Sequence, residues 1–463
     1  MKRFSIILIA LLIFPLFSHA SDWKTYPYTD PNKIVLLAKD GIIQPSSYHQ
    51  RYRRAEFDAN KPFFQWWYFA IKDHKNNRYF AFDYSMSDCV KNLTNEGSYV
   101  LFAMVDKKNG KNFQKYERYP LENFKSKRDF DITIKNNQAV DFEIKVIDDD
   151  TYHVRGKMRN PSNVWFAEGC DPGIYIEWDL VIHRIYGWYG QQDIENIAKS
   201  VGLINWNTYA HDSEVEGYIK VDDTTYIIER NEDFRAYCDQ NWGVNFPEGK
   251  PSIDFPWGWY HVNAPNSDPS KDLSIIAGIG RHNLATALET GDNSNQLNIP
   301  GIGKFADIRL DSDTHIGVRS IIMSPNSVQD VWTPGFVTTN DGFVKIFKLE
   351  RDNWVDYTDS LGSAKIPLNQ KITIETKNYK TVMDFRSKIG DYNRLLFPHE
   401  DYIFSDFEAL GVNVHVVVSY LTEKTVYLKW DLFHKFPVKI KVYETLRDFW
   451  SDDGGLEYGY NVN

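Results

Sequence analysis

From residue 60 onward the alternation of apolar and polar side chains dominates, and the three-and-four spacing of a helix is scarce. Arg78 to Met86 and Tyr99 to Val105 read as strands, and Phe130 to Ile134, Asn136-Asn137 and Ala139 to Val146 read as a hairpin continued by Tyr152 to Met158. Gly217 to Val221, Asp222-Asp223 and Thr225 to Glu229 form another tight hairpin. The same signal recurs in Leu273 to Gly280, Phe305 to Leu310, Thr314 to Met323, around Asn340-Asp341-Gly342, and in Ile372 to Thr376 with Thr381 to Phe385. The run Val412 to Tyr443 has room for at least three more strands, and a helix is expected mainly at Gln192 to Ser200, stopped by Gly202.

Strands apolar on one face must bury that face, and runs of them joined by turns do so as sandwiches or barrels. The expected fold is all-β, with two tandem antiparallel β domains of sandwich or barrel form. The weakest link between the halves is FPEGKPSIDFP, residues 246 to 256, with three prolines and a glycine. It divides the chain into residues 21–249 and 250–463.

The first twenty residues, MKRFSIILIALLIFPLFSHA, pair two basic residues with an apolar run too short to span a bilayer and small residues before the end. Cleavage is expected after Ala20, which would place the protein outside the cytoplasm, secreted or periplasmic. No later run is long enough to cross a membrane, although contact with a membrane surface remains open. With 53 basic against 63 acidic residues and a net charge of −10, nucleic acid is a poor partner, because phosphate binding needs clustered positive charge. Cys89, Cys170 and Cys238 allow one disulfide and a free thiol, with the pairing undetermined.

The chain has no GxSxG elbow, HExxH pair or GxxxxGK[ST] loop, and its twelve histidines are scattered without ligand spacing. No cofactor and no metal is expected. Asp148-Asp149-Asp150 and Asp311-Ser312-Asp313 fall at turns, where solvated aspartate is ordinary. Aromatic residues make up 15% of the chain, enough to line a cavity as well as fill a core. They gather as FFQWWYF at 63 to 69, RIYGWYG at 184 to 190 and PWGWYHVN at 256 to 263. On a strand, Trp66 and Tyr68 face one side and Trp67 and Phe69 the other, so WWYF needs covering on both faces, by a core and by a second layer or a ligand.

FFQWWYFAIKD resembles the EWWYF or EGWYF segment of the tocopherol cyclases, carotenoid hydratases and related lipocalin-like proteins. The stretch from WYGQQD through AYCDQNWGVNFP to PWGWYHVN is similar to the tocopherol cyclase segment that ends in an acidic block and a tryptophan-rich strand. GGLEYGY, at 454 to 460, resembles the closing strand of the same superfamily. The resemblance implies two consecutive lipocalin-like β domains with a hydrophobic ligand held within or between them. It also implies acid-assisted cyclisation or hydration of a prenyl or polyene substrate. Such chemistry needs a carboxylic acid kept protonated by burial, with aromatic faces to stabilise a cation.

Asp239 matches the family's acid, and Tyr260 is expected to assist it as the second catalytic residue. Trp242, Trp257, Trp259, His261 and Gln240 would contact substrate, with Trp66 and Tyr68 closing the site from the first domain. Gln65 and Gln240 depart from the family, standing where relatives carry Glu and where they carry Lys or His. Asp239 can equally fasten a turn through backbone N–H groups, His261 and His211 can be structural, and Glu457 can face either the cavity or solvent. Three functions fit these residues: a cyclase- or hydratase-type enzyme, a non-catalytic binding protein for a hydrophobic ligand, and a carbohydrate-active β protein.

Overall fold

The computed structural model describes residues 64–87, 98–126, 131–136, 139–148, 150–159, 173–188, 205–243, 257–283, 300–310, 315–322, 346–359, 362–399, 402–429 and 435–462, together with a short ladder of 37–38 on 41–42. The expected signal segment, Cys89, Cys170, the Gln192 to Ser200 helix, the Asn340 turn and the boundary at 249/250 lie outside the described residues.

The fold is all-β, in two large antiparallel sheets. In the first, twelve-stranded sheet the order is Lys111–Arg118, Tyr99–Asp106, Arg78–Ser87, Phe64–Asp73, Phe234–Gly243, Asn205–Val221, Ile176–Trp188, Thr151–Met158, Ala139–Asp148, Ile132–Asn136 and Phe124–Ser126, with Thr224–Ile228 paired to Asn205–Val221. The second has ten strands, ordered His315–Ile322, Pro300–Arg309, Leu273–Asn283, Trp257–Ala264, Lys435–Val462, Tyr402–Lys429, Tyr379–Arg386, Gly362–Glu375 and Ile346–Asp359. Tyr392–His399 also pairs with Tyr402–Lys429. The expected three or more strands from Val412 to Tyr443 are instead parts of two strands of 28 residues each. Bulges at Leu410/Val412, Val412/Val414 and Val418/Ser419 let the first of these strands run on where the alternation slips.

Each sheet packs one face around its own core. Trp67, Phe69, Phe82, Tyr84, Phe102 and Trp178 form part of the first, and Trp178 stacks on Phe82 at 5.1 Å. Ile275, Ile308, Phe385, Phe407, Val414 and Leu456 belong to the second. A third cluster joins the sheets: Phe64, Trp66, Tyr68, Tyr79, Tyr99 and Tyr237 of the first against Trp259, Ile276, Leu395, Leu396 and Leu410 of the second. Period-2 alternation explains the division, since Trp67 and Phe69 turn inward while Trp66 and Tyr68 turn to the other sheet. The second cover that WWYF requires is therefore the second sheet. Burying each large aromatic removes about 2–3 kcal/mol of unfavourable hydration, so this layer holds the halves together with considerable force. Cys238 is buried with a free thiol.

Candidate active site

Strand Phe64–Asp73 opens the first sheet's sequence and strand Phe234–Gly243 closes it, yet the two lie side by side in register Tyr68↔Asp239. On its other edge Tyr68 pairs with Asp83. Asp239, Tyr68 and Asp83 thus form one row across three strands, all facing the second sheet. Opposite them a second row runs Trp259↔Glu457↔Glu408 across three more strands, with Asp406 one step along the same face. These rows lie two to six residues from the strand ends Phe64, Ser87, Gly243, Trp257, Tyr402 and Val462, at one end of the paired sheets.

Two tyrosines tie the rows together. Tyr68 Oη donates to Glu408 Oε1. Trp259 Nε1 donates to Tyr237 Oη at 2.8 Å, and Tyr237 Oη donates to Asp239 Oδ2 at 2.7 Å. The rings form a T-shaped trio, with Tyr237–Trp259 centroids at 4.9 Å, Tyr68–Tyr237 at 6.2 Å and Tyr68–Trp259 at 6.5 Å. Trp66 stacks on Phe64 at 4.9 Å beside them.

Water is largely excluded. Asp83, Asp239, Asp406 and Glu408 are all buried, and Glu457 is half-buried. Burial raises the Glu408 carboxyl to about 8, with Asp406 and Asp239 adding like charge against the pull of the Tyr68 hydrogen bond and Lys72. Burial likewise raises Asp406 to about 7, opposed by hydrogen bonds from Glu457 and the Phe407 backbone. Asp83 is pushed up by burial, then by Asp239 and Glu408. A buried carboxylate left charged costs several kcal/mol, so protonation is the cheaper state for members of such a cluster. Asp406 Oδ1 and Glu408 Oε2 meet no hydrogen-bond partner among the described residues. The phenols of Tyr68 and Tyr237 are also pushed up by burial and by the neighbouring acids, which keeps them as donors.

Beside the acids runs a basic line. His261 Nε2 lies 2.9 Å from the His211 carbonyl oxygen, which can only accept, so Nε2 carries the proton. Nδ1 is then the acceptor for the Lys72 ammonium at 2.7 Å. Burial first, then Lys72 and His211, hold His261 well below its ordinary value, and His211 is held low by burial and Arg309. Both rings are therefore neutral, and His211 Nδ1 meets Ser274 Oγ at 2.7 Å. Trp259 stacks on His261 at 5.7 Å, linking this line to the acids.

The structure brings together Asp239, Trp66, Tyr68, Trp259 and His261 among the residues expected from sequence, and adds Glu457. It sends Tyr260 and Gln240 to opposite faces of their strands. Tyr260 lies in the second sheet's own core, its hydroxyl donating to Gln370 Oε1 at 2.7 Å and accepting from Arg351 Nη2 at 3.1 Å. Gln240 pairs with Trp67 and faces the first core. The side chains of Trp242 and Trp257 lie outside the described residues. Sequence reasoning missed Tyr237, and also Asp83, Asp406, Glu408 and Lys72, because a charged residue alternating with apolar ones reads as the solvent face of a strand. Ser405-Asp406-Phe407-Glu408-Ala409 has this pattern, and only the second layer turns it inward. No group of three His, Cys, Asp or Glu side chains among the described residues is placed to hold a metal ion.

Comparison with known proteins bears on this arrangement. No curated protein matches the chain. Among solved structures, CghA is 7% identical over 87% of this chain and 89% of its own, with a TM-score of 0.45. A Nitrosomonas europaea protein assigned as an AttH is 9% identical over 86% of this chain and 93% of its own, with a TM-score of 0.38. The profile of the family described as tocopherol cyclase-like matches residues 61–292, half of the chain, and includes the strands that carry Tyr68, Asp83, Asp239 and Trp259. The protein belongs to the tocopherol cyclase-like family.

Proposed function

We propose that the protein is an enzyme that protonates an alkene of a prenyl or polyene lipid and directs the resulting cation to cyclisation or hydration. The observation that carries this reading is the buried acid cluster between the sheets, with Glu408 and Asp406 raised toward neutrality among tyrosine and indole rings. Alkenes are weak bases, so the donor must be an undissociated acid in a site where water neither levels the proton nor traps the cation. Glu408 fits the donor role: its Oε1 is occupied by Tyr68, leaving Oε2 to carry the proton. Proton transfer from Oε2 to one alkene carbon leaves a carboxylate on Glu408 and a cation on the other carbon.

The faces of Tyr68, Tyr237 and Trp259 suit that cation, at about 2 kcal/mol or more for each desolvated ring. An internal hydroxyl or a water then adds to the cation and loses its proton to Asp239, held in place by the Trp259–Tyr237 relay. Membership of the family supports the reaction class. The amino-terminal sequence supports export after cleavage behind Ala20, and the Pro-rich stretch 246–256 supports a domain boundary there.

The test is to incubate the purified protein with a lipid extract of its host in D2O and analyse the products by mass spectrometry. One deuterium on a former alkene carbon is expected. Asp239→Asn and Glu408→Gln should each slow its appearance by about 100-fold or more, the range for loss of a positioned acid or base. A lipid that co-purifies but returns unchanged, bound equally well by Asp239→Asn, would establish a binding protein instead.

A further inference from the structure

Seven of the ten large hydrophobic side chains exposed among the described residues lie on the two 28-residue strands, and five of these are Tyr427, Leu428, Phe436, Ile440 and Tyr443. The first four stand beyond the rest of the sheet, while Tyr443 sits at its margin, with the Lys380 ammonium over its ring at 5.8 Å. Tyr402–Lys429 has a third-strand neighbour only as far as Tyr420, and Lys435–Val462 regains one only at Gly455. Residues 421–429 and 435–443 thus form a two-stranded ribbon projecting about 30 Å at roughly 3.3 Å per residue.

An isolated two-stranded ribbon is marginal in water, so its apolar face wants cover. The register puts Val426, Leu428, Phe436, Val438, Ile440 and Val442 on one face, with Thr422 and Lys424 at the end nearer the sheet. Lys435, Lys439 and Lys441 occupy the other, accompanied by Glu423, Tyr427 and Tyr443. Residues 421–443 hold five lysines against Glu423 and Asp431, a surplus of +3 in a chain whose net charge is −10. The ion pairs Lys424–Glu444 at 2.9 Å and Lys439–Glu423 at 3.7 Å are exposed and neutralise little of this in solution.

We propose that this ribbon docks on the surface of an anionic lipid bilayer, its apolar face entering the headgroup boundary and its lysines meeting lipid phosphates. A bilayer answers both features at once, covering apolar area and attracting each nearby lysine. A second copy of the chain answers only the first, because two such arms joined by their apolar faces leave the lysines of the other face pointing outward without a counter-charge. The inference does not rest on the reaction proposed above, and the two fail separately.

Vesicle flotation tests it, using phosphatidylcholine vesicles with and without phosphatidylserine. The wild-type protein should float with the anionic vesicles and be released by salt. Lys435→Glu/Lys439→Glu/Lys441→Glu should weaken partition by roughly a hundredfold, from the attraction of single lysines near such a surface. Leu428→Thr/Phe436→Thr should weaken it as well, while Asp239→Asn floats like wild type. Because all five positions are exposed, the variants should melt as the parent does, which confirms that each remains folded. No flotation, flotation unchanged in both sets of variants, or a concentration-dependent dimer that Leu428→Thr/Phe436→Thr abolishes would overturn the proposal.

Discussion

Glu408 and Asp406 hold their protons to about 8 and about 7 in the fold, against ordinary values of 4.5 and 3.8. Between those limits the folded protein binds protons that the unfolded chain has released, so stability falls as pH rises through this window. His211 and His261 work in the opposite sense, since both are held well below 6.5 and the unfolded chain takes up protons that the fold refuses. Their contribution is complete above about pH 6.5, so a slope between about pH 6.5 and 8 belongs to the acids. Glu408→Gln, which cannot ionise, is expected to flatten that slope when urea midpoints are measured across it. Tyr68→Phe, which removes the hydrogen bond opposing the shift, should instead move the titration upward. Asp239, Trp66, Tyr68, Trp259 and His261 were legible as a site because each stands in an aromatic block unlike the rest of the chain. Tyr260 and Gln240 were drawn in by being next to those residues in sequence, but next-door residues on a strand face apart.

Strand length was the least legible property, and the reason lies at Gly411. This residue has φ +68°, and a Cβ there would come within 2.1 Å of the Tyr79 ring of the other sheet. The Lys107 ammonium donates to its carbonyl, while Tyr79 Oη donates to the Asp452 carbonyl at 2.9 Å. Glycine here reads as a turn between strands, whereas it lets one long strand bulge and admit a ring from the opposite layer. Gly411→Ala should cost about 2–4 kcal/mol in chemical denaturation, combining left-handed backbone strain with overpacking. In a Tyr79→Ala background the same change should cost only about 1–2 kcal/mol, the backbone part alone.

The two sheets are also clasped at the end away from the acids. Arg235 of the first pairs with Asp272 of the second at 2.9 Å, and Arg309 of the second with Asp212 of the first at 3.1 Å, all four buried. Asp272→Asn leaves Arg235 with only the longer contact to Asp212 at 3.8 Å, so it is expected to cost about 1.5–3 kcal/mol and to split one calorimetric transition into two. That a second cover must exist was readable in a segment apolar on both faces, but not whether it is a layer of protein or a ligand, because the residues that meet it are hundreds of positions away. The pairing of Phe64–Asp73 with Phe234–Gly243 bears on synthesis as well. The ribosome must add the 160 residues from 74 to 233 before the later strand starts to emerge. At about 5–20 residues per second, the tryptophan-rich edge stays unmatched for roughly 8–30 s. During that interval the nascent chain exposes its stickiest segment, and a holding chaperone that recognises aromatic strands would find it there.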